Sequence, residues 1–261
     1  MPIVPRTATP LQPYWAASRA PRYSFVFALP LLVFYEVLAA LLSSGGVGIR
    51  NGADVLLKRP FELLAGQYGA IAFGLTVITL CVILIVRDMR RSDRQLHARV
   101  FAGMLAESTV LAVVCGVVVG VATMQLLGAL GGLALAPDAG PATLALGQLT
   151  DMSWATRLMV SLGAGLYEEL LFRVVLVSAL AALGRRALGL GVTGAGVMAA
   201  VLGALIFSAF HYIGQYGDPF TLQSFVFRAL AGLFFSALYL LRGFGITAWT
   251  HALYDVMVLL L

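Results

Sequence analysis

The chain predicts an all-α, multi-pass transmembrane helical bundle of about seven spans, and three observations carry that prediction. Hydrophobic residues make up 61% of its 261 positions and charged residues only 11%, with a mean hydropathy of +0.95. A soluble core of that length needs more polar surface than this composition supplies. Apolar runs long enough to cross about 30 Å of hydrocarbon recur along the whole chain. Between them, arginines cluster in alternate connections, as expected where loops alternate between two faces of a membrane.

Taken in order, the polar first residues hold five prolines and lead straight into a spanning run, which predicts a cytoplasmic tail (1–22) and no cleavable signal peptide. The spans are expected near Tyr23 to Ser43, Gln67 to Val86, Val100 to Leu127, Thr156 to Leu183, Thr193 to Tyr212, Leu222 to Leu241 and Gly245 to Leu261, with the fourth a candidate for a break and the last short. Arg50-Asn51-Gly52-Ala53-Asp54 has the composition of a turn followed by a helix start, a structural role. The stretch Ala53 to Ala65 is expected to lie at the interface, its basic residues among headgroups. Residues 128–155, with Pro137, Asp138, Gly140 and Pro141, read as an outside loop. These elements divide into the tail, an N-terminal set of helices and loops (23–150) and a charge-bearing core (151–261).

Charge placement gives orientation. Arg19, Arg22, the group from Arg87 to Arg99, Arg185, Arg186 and Arg242 all fall on one face, which predicts a cytoplasmic N-terminus and an outside C-terminus. Arg50, Lys58 and Arg59 run against this trend. The net charge of +5 is thus a topology signal, and nucleic-acid binding is not expected from it. Cys81 and Cys115 lie inside spans and offer neither a disulfide framework nor metal spacing. Sixteen arginines against one lysine hint at a prokaryotic, GC-rich source and hence a cell-membrane location. Gly116 and Gly120, then Gly128 and Gly132, have the small-xxx-small spacing of close helix packing. Glu36, mid-span in the first helix, is expected either to pair with a buried arginine such as Arg228 or to touch the site.

The chemistry is expected in the core. Glu168, Glu169 and Arg173 stand in the fourth apolar run, where a charge costs roughly 2.5–3.5 kcal/mol even on the gentlest insertion scale. Glu169 and Arg173 are four apart in the favourable order and pair along one face. Glu168 lies about 100° round an α-helix and is the freer carboxylate, a candidate general base or acid. Ala195, Ala199, Gly203 and Phe207 form a smooth stripe that delivers His211 to a helix contact. On the last span, His251 and Asp255 share a face, so the aspartate can orient the imidazole. At 1.5 Å per residue, Glu168 lies roughly 18 Å from the outer face and His251 roughly 9 Å from the inner one, a common level that His211 does not share.

The series Glu168-Glu169-xxx-Arg173, Phe207-xxx-His211 and His251-xxx-Asp255, with Phe172, Phe227, Arg228 and Gly232 nearby, resembles the CPBP (Abi) family of CAAX prenyl endopeptidases and bacteriocin-linked relatives. The likeness covers residues 156–261. It implies an intramembrane endopeptidase that acts on a peptide or membrane-protein substrate and needs no metal or other cofactor. Glu168 would be the base, His211 its helper, Glu169 and Arg173 the support, and His251 with Asp255 the oxyanion side. Asp255 stands where that family usually has Asn; an ionised Asp accepts hydrogen bonds and repels an oxyanion, so it is read as orienting His251. Two other classes compete. Glu168, His211, His251 and Asp255 are zinc-ligand types, although no HExxH helix accompanies them. A transporter or channel would use the same residues as a proton relay, but the inverted repeats of that class are not visible.

Overall fold

The computed structural model describes residues 11–43, 48, 50–91, 95–129, 152–214 and 217–260. It is an all-α membrane bundle. A short α1 (Leu11–Ser18) precedes α2 (Pro21–Ser43), α3 (Gly52–Ala65), α4 (Gly69–Met89) and α5 (Ala98–Ala129). The second half holds α6, wound as Trp154–Gly163, Ala164–Val177 and Ser178–Arg186, then α7 (Val192–Phe210), α8 (Leu222–Arg242) and α9 (Phe244–Leu260). Among the described residues, five stretches are long and apolar enough to cross a bilayer: Pro21–Ser43, Gly52–Met89, Ala98–Ala129, Val192–Phe210 and Leu222–Arg242. The charged α6 and the 17-residue α9 complete the predicted set of about seven.

The fourth span is not broken. Its middle, Ala164–Val177, is wound as a π-helix, whose i→i+5 hydrogen bonds give a wider turn than the α-helix. Ala164, Glu168, Glu169, Phe172, Arg173 and Val177 are all buried along this stretch. It packs against α9, where Gly165 makes the approach possible: a Cβ there would stand 2.5 Å from the carbonyl oxygen of Ala248 and from Ala252 Cβ. Side-chain caps start several helices, with Asn51 accepting from the Ala53 N–H, Ser153 from Thr156 and Thr221 from Ser224. Between α8 and α9 a single residue turns the chain; Gly243 has φ of 81°, a conformation that glycine adopts without penalty.

Polar groups tie the arginine-rich ends together. Arg22 pairs with Asp88 at 3.0 Å, and Arg242 forks onto Glu107 at 2.6 and 2.8 Å while its third contact reaches Ser18. Tyr14 donates to the same Glu107, and burial, reinforced by that carboxylate, pushes its phenol above the usual range. Gly245 N–H donates to Ser24, so the start of α9 sits beside the start of α2. Many apolar side chains of α4 and α5, Leu75, Ile78, Ile83, Val113 and Val117 among them, are exposed, as a lipid-facing surface requires.

Several expectations for the first half need correction. The helix at Ala53 to Ala65 forms and Arg59 stays largely exposed on it, but the other two basic residues of this region do not rest free among headgroups. Lys58 is buried and pairs with Asp54 and Glu36, and Arg50 bridges the same two carboxylates at 3.0 and 3.2 Å. Glu36 also accepts from Tyr167 at 2.7 Å, so its partners are Lys58, Arg50 and Tyr167; Arg228 instead pairs with Asp218. The glycine spacing in α5 is only partly a packing device. Gly116 lies against the Tyr254 ring, while a Cβ at Gly120 or Gly128 would meet open space. Gly132 and the loop residues Pro137, Asp138, Gly140 and Pro141 lie outside the described residues.

Candidate active site

The charged core residues converge on one cavity of 640 Å³ between α3, α6, α7, α8 and α9. Glu168, His211, His251 and Asp255 all line it. Glu168 Oε2 stands 4.0 Å from His211 Nε2, and Glu168 Oε1 accepts from Asn51 Nδ2 at 2.8 Å. His211 is the first residue beyond α7, which explains its odd level in the sequence. Its carbonyl accepts from Asp218 N–H at 2.9 Å, which ties Asp218 to His211 beside the cavity that both line.

Hydrogen bonding assigns the ring protons. His211 Nδ1 lies 2.9 Å from the Phe207 carbonyl, which can only accept. Nδ1 therefore carries a hydrogen, and in the neutral ring the Nε2 lone pair faces Glu168. Phe207 also packs edge-on to the same imidazole, with centroids 4.8 Å apart. The four-residue spacing of Phe207 and His211 thus supplies both an acceptor and a wall.

His251 is held differently from the expectation. Its Nδ1 bonds Glu169 Oε1 at 2.7 Å, whereas Asp255 Oδ2 is 3.8 Å from Nε2. Orientation of the ring thus falls to Glu169, a neighbour on another helix, and not to Asp255. Phe235 stacks on the other side at 4.3 Å. Glu169 in turn pairs with Arg173 at 3.0 Å, as the spacing predicts, and the pair is almost wholly withdrawn from solvent, at 0% and 1% exposure. Arg173 is lodged over the Phe207 ring at 4.5 Å and donates to the Gly232 carbonyl at 3.3 Å. Gly232 is small for a reason: a Cβ there would come within 3.0–3.1 Å of Ala204 and Phe207. The stripe Ala195, Ala199 and Gly203 is likewise buried, with Val177 Cγ2 only 2.7 Å from where a Gly203 Cβ would stand.

Sequence reasoning missed Asn51. The helix start expected after it is there, and Asn51 itself caps it, since its Oδ1 accepts from Ala53 N–H at 2.9 Å. The same side chain turns its amide hydrogens to Glu168, and Tyr35 accepts its backbone N–H. Tyr35 in turn donates to Asp54, so the network of Arg50, Asp54, Lys58 and Glu36 stands directly behind the site. An asparagine opening a helix beside a run of intramembrane charges was the available signal.

Residues 150–257 match the family model of the Rce1-like type II CAAX prenyl endopeptidases. The resemblance to the CPBP family therefore holds over the segment that carries Glu168, His211 and His251, and it aligns the chain with membrane-embedded proteases. No curated protein and no solved structure is similar enough to match the chain. Among the described residues, no group of three or more His, Cys, Asp or Glu side chains is placed to hold a metal ion. The zinc alternative gains no geometric support from these residues.

Proposed function

We propose that the chain is an intramembrane endopeptidase in which Glu168 and His211 activate a water molecule against a peptide bond. The observation that carries this reading is the 4.0 Å spacing of Glu168 Oε2 and His211 Nε2. That is too long for a direct hydrogen bond and suits a water bonded to both at about 2.8 Å. Both flanking atoms are acceptors when Glu168 is ionised and His211 neutral. Such a water gives each a hydrogen and turns its lone pairs toward the cavity. Glu168 takes the proton as the hydroxyl attacks the scissile carbonyl, and the proton passes to the leaving amine. Asn51 fixes the carboxylate for that transfer.

His251 is assigned the oxyanion side. Because Nδ1–H is committed to Glu169, only Nε2 can face the developing charge, and it donates there as the imidazolium. Glu169 stands beside Nδ1 as its counter-charge, while Asp255 lies 3.8 Å from Nε2. The division into a supporting N-terminal set and a catalytic core from residue 151 onward is part of this reading, with α3 adding Asn51 to the core. The test is substrate trapping: membranes with Glu168→Gln should accumulate peptides that wild type removes, and His211→Ala and His251→Ala should accumulate the same ones. Identical peptide inventories in wild type and Glu168→Gln, with ion flux retained in liposomes, would instead favour a transport role.

A further inference from the structure

The mouth of the cavity identifies the compartment it serves. Its lining runs from Phe235 and His251, well inside α8 and α9, to Gly48, Arg50, Met152 and Gly214 in the connections, which we take as its rim. These rim residues come from three connections, after α2, before α6 and after α7. All three lie at the same end of the bundle. The opposite end is fixed by Arg22 with Asp88, Arg242 with Glu107 and Ser18, and Gly245 with Ser24. It is the arginine-rich end.

Among the described residues, nine arginines from Arg19 to Arg242 belong to that closed end, against Arg50, Lys58, Arg59, Arg157 and Arg228 toward the open one. Of those five, Arg50 and Lys58 are drawn inward by Asp54 and Glu36, and Arg228 by Asp218. A lysine and arginine bias of this size retains the basic end in the cytoplasm. We infer that the active-site cavity opens to the extracytoplasmic side, and that its substrates are peptides, or the outward ends of membrane-protein segments, presented from outside the cytoplasm. The substrate part rests on the peptidase reading; the sidedness does not. A chain terminus displayed in the cytoplasm meets the closed end of the bundle, where Arg242, Glu107 and Ser18 fill the space between α1, α5 and α8.

Two cysteine variants in a chain carrying Cys81→Ala and Cys115→Ala test the sidedness. Ile213, beside the rim, is 70% exposed, and Leu188, in the turn between α6 and α7, is 60% exposed. A membrane-impermeant maleimide applied to intact cells should label Ile213→Cys fully and Leu188→Cys only after detergent. Labelling of Leu188→Cys but not Ile213→Cys, or of both alike before detergent, overturns the inference. The peptides that accumulate with Glu168→Gln then read the substrate class: their wild-type cleavage junctions should fall at extracytoplasmic positions. Junctions on the cytoplasmic side overturn the assignment. An unchanged peptide inventory alongside correct labelling removes the peptidase reading, and the substrate class with it, while the orientation stands.

Discussion

Arg173→Met isolates the cost of the buried pair behind the site. The substitution keeps an apolar stem of similar reach between Phe207 and Phe235 and deletes the guanidinium that pairs with Glu169 at 3.0 Å. Glu169 is 0% exposed, so its carboxylate cannot turn to water and keeps only the His251 imidazole as a partner. Removing one member of a buried pair costs about 3–5 kcal/mol, because the other charge is stranded. At about 2–4 °C per kcal/mol for a chain of this size, the melting temperature should fall by about 6–20 °C. Tryptophan fluorescence during thermal unfolding in mild detergent measures it. At alkaline pH, where His251 is neutral, the double variant Glu169→Gln, Arg173→Met should melt above Arg173→Met alone, since a neutral amide at position 169 then strands no charge yet still accepts from His251. A single variant within about 2 °C of wild type, or a double variant less stable than the single at that pH, refutes the claim that a desolvated charge pair holds α6.

Three further outcomes are expected. Asn51→Asp keeps the cap on Ala53 but sets a carboxylate against Glu168; loss of a charge-assisted bond worth about 1.5–3 kcal/mol should slow processing of a trapped peptide roughly 10- to 100-fold, and the like-charge contact should also lower the melting temperature. Wild-type processing by this variant would remove Asn51 from the site. Gly165→Ala forces α6 and α9 apart at Ala248 and Ala252 and should cost about 1–3 kcal/mol, seen as a lowered melting temperature. Exhaustive chelation should leave peptide processing intact, whereas loss restored by Zn²⁺ would revive the metal mechanism.

The spans were legible because lipid demands unbroken apolar runs, and the charged set was legible because such runs rarely hold ionisable groups. Glu168, His211 and His251 could be singled out on that ground alone. Partnerships across the bundle were not legible. The four-residue spacing pointed from Asp255 to His251, but the ring bonds Glu169, 82 residues away in sequence. Asn51 and Glu168 are 117 apart, and Asn51 already had a sufficient local explanation as part of a turn before a helix. Glu36 does pair with an arginine, but with Arg50 and not Arg228, since helix periodicity fixes which face a side chain occupies and says nothing of the helix opposite. The π winding also escaped, because composition alone does not distinguish hydrogen bonding to the fifth neighbour from bonding to the fourth.

That winding makes α6 sensitive to length more than to composition. With the π winding kept, loss of one residue between Ala164 and Glu168 would turn the part before the deletion by roughly a fifth to a quarter of a revolution relative to the part after it. Gly165 could not then face Ala252 while Glu168 faces the cavity, although every charged residue survived in the text of the sequence. Drift among related chains should therefore preserve the residue count across Ala164–Val177 even where the letters change, and a one-residue indel there should silence the protein as surely as losing the glutamate itself.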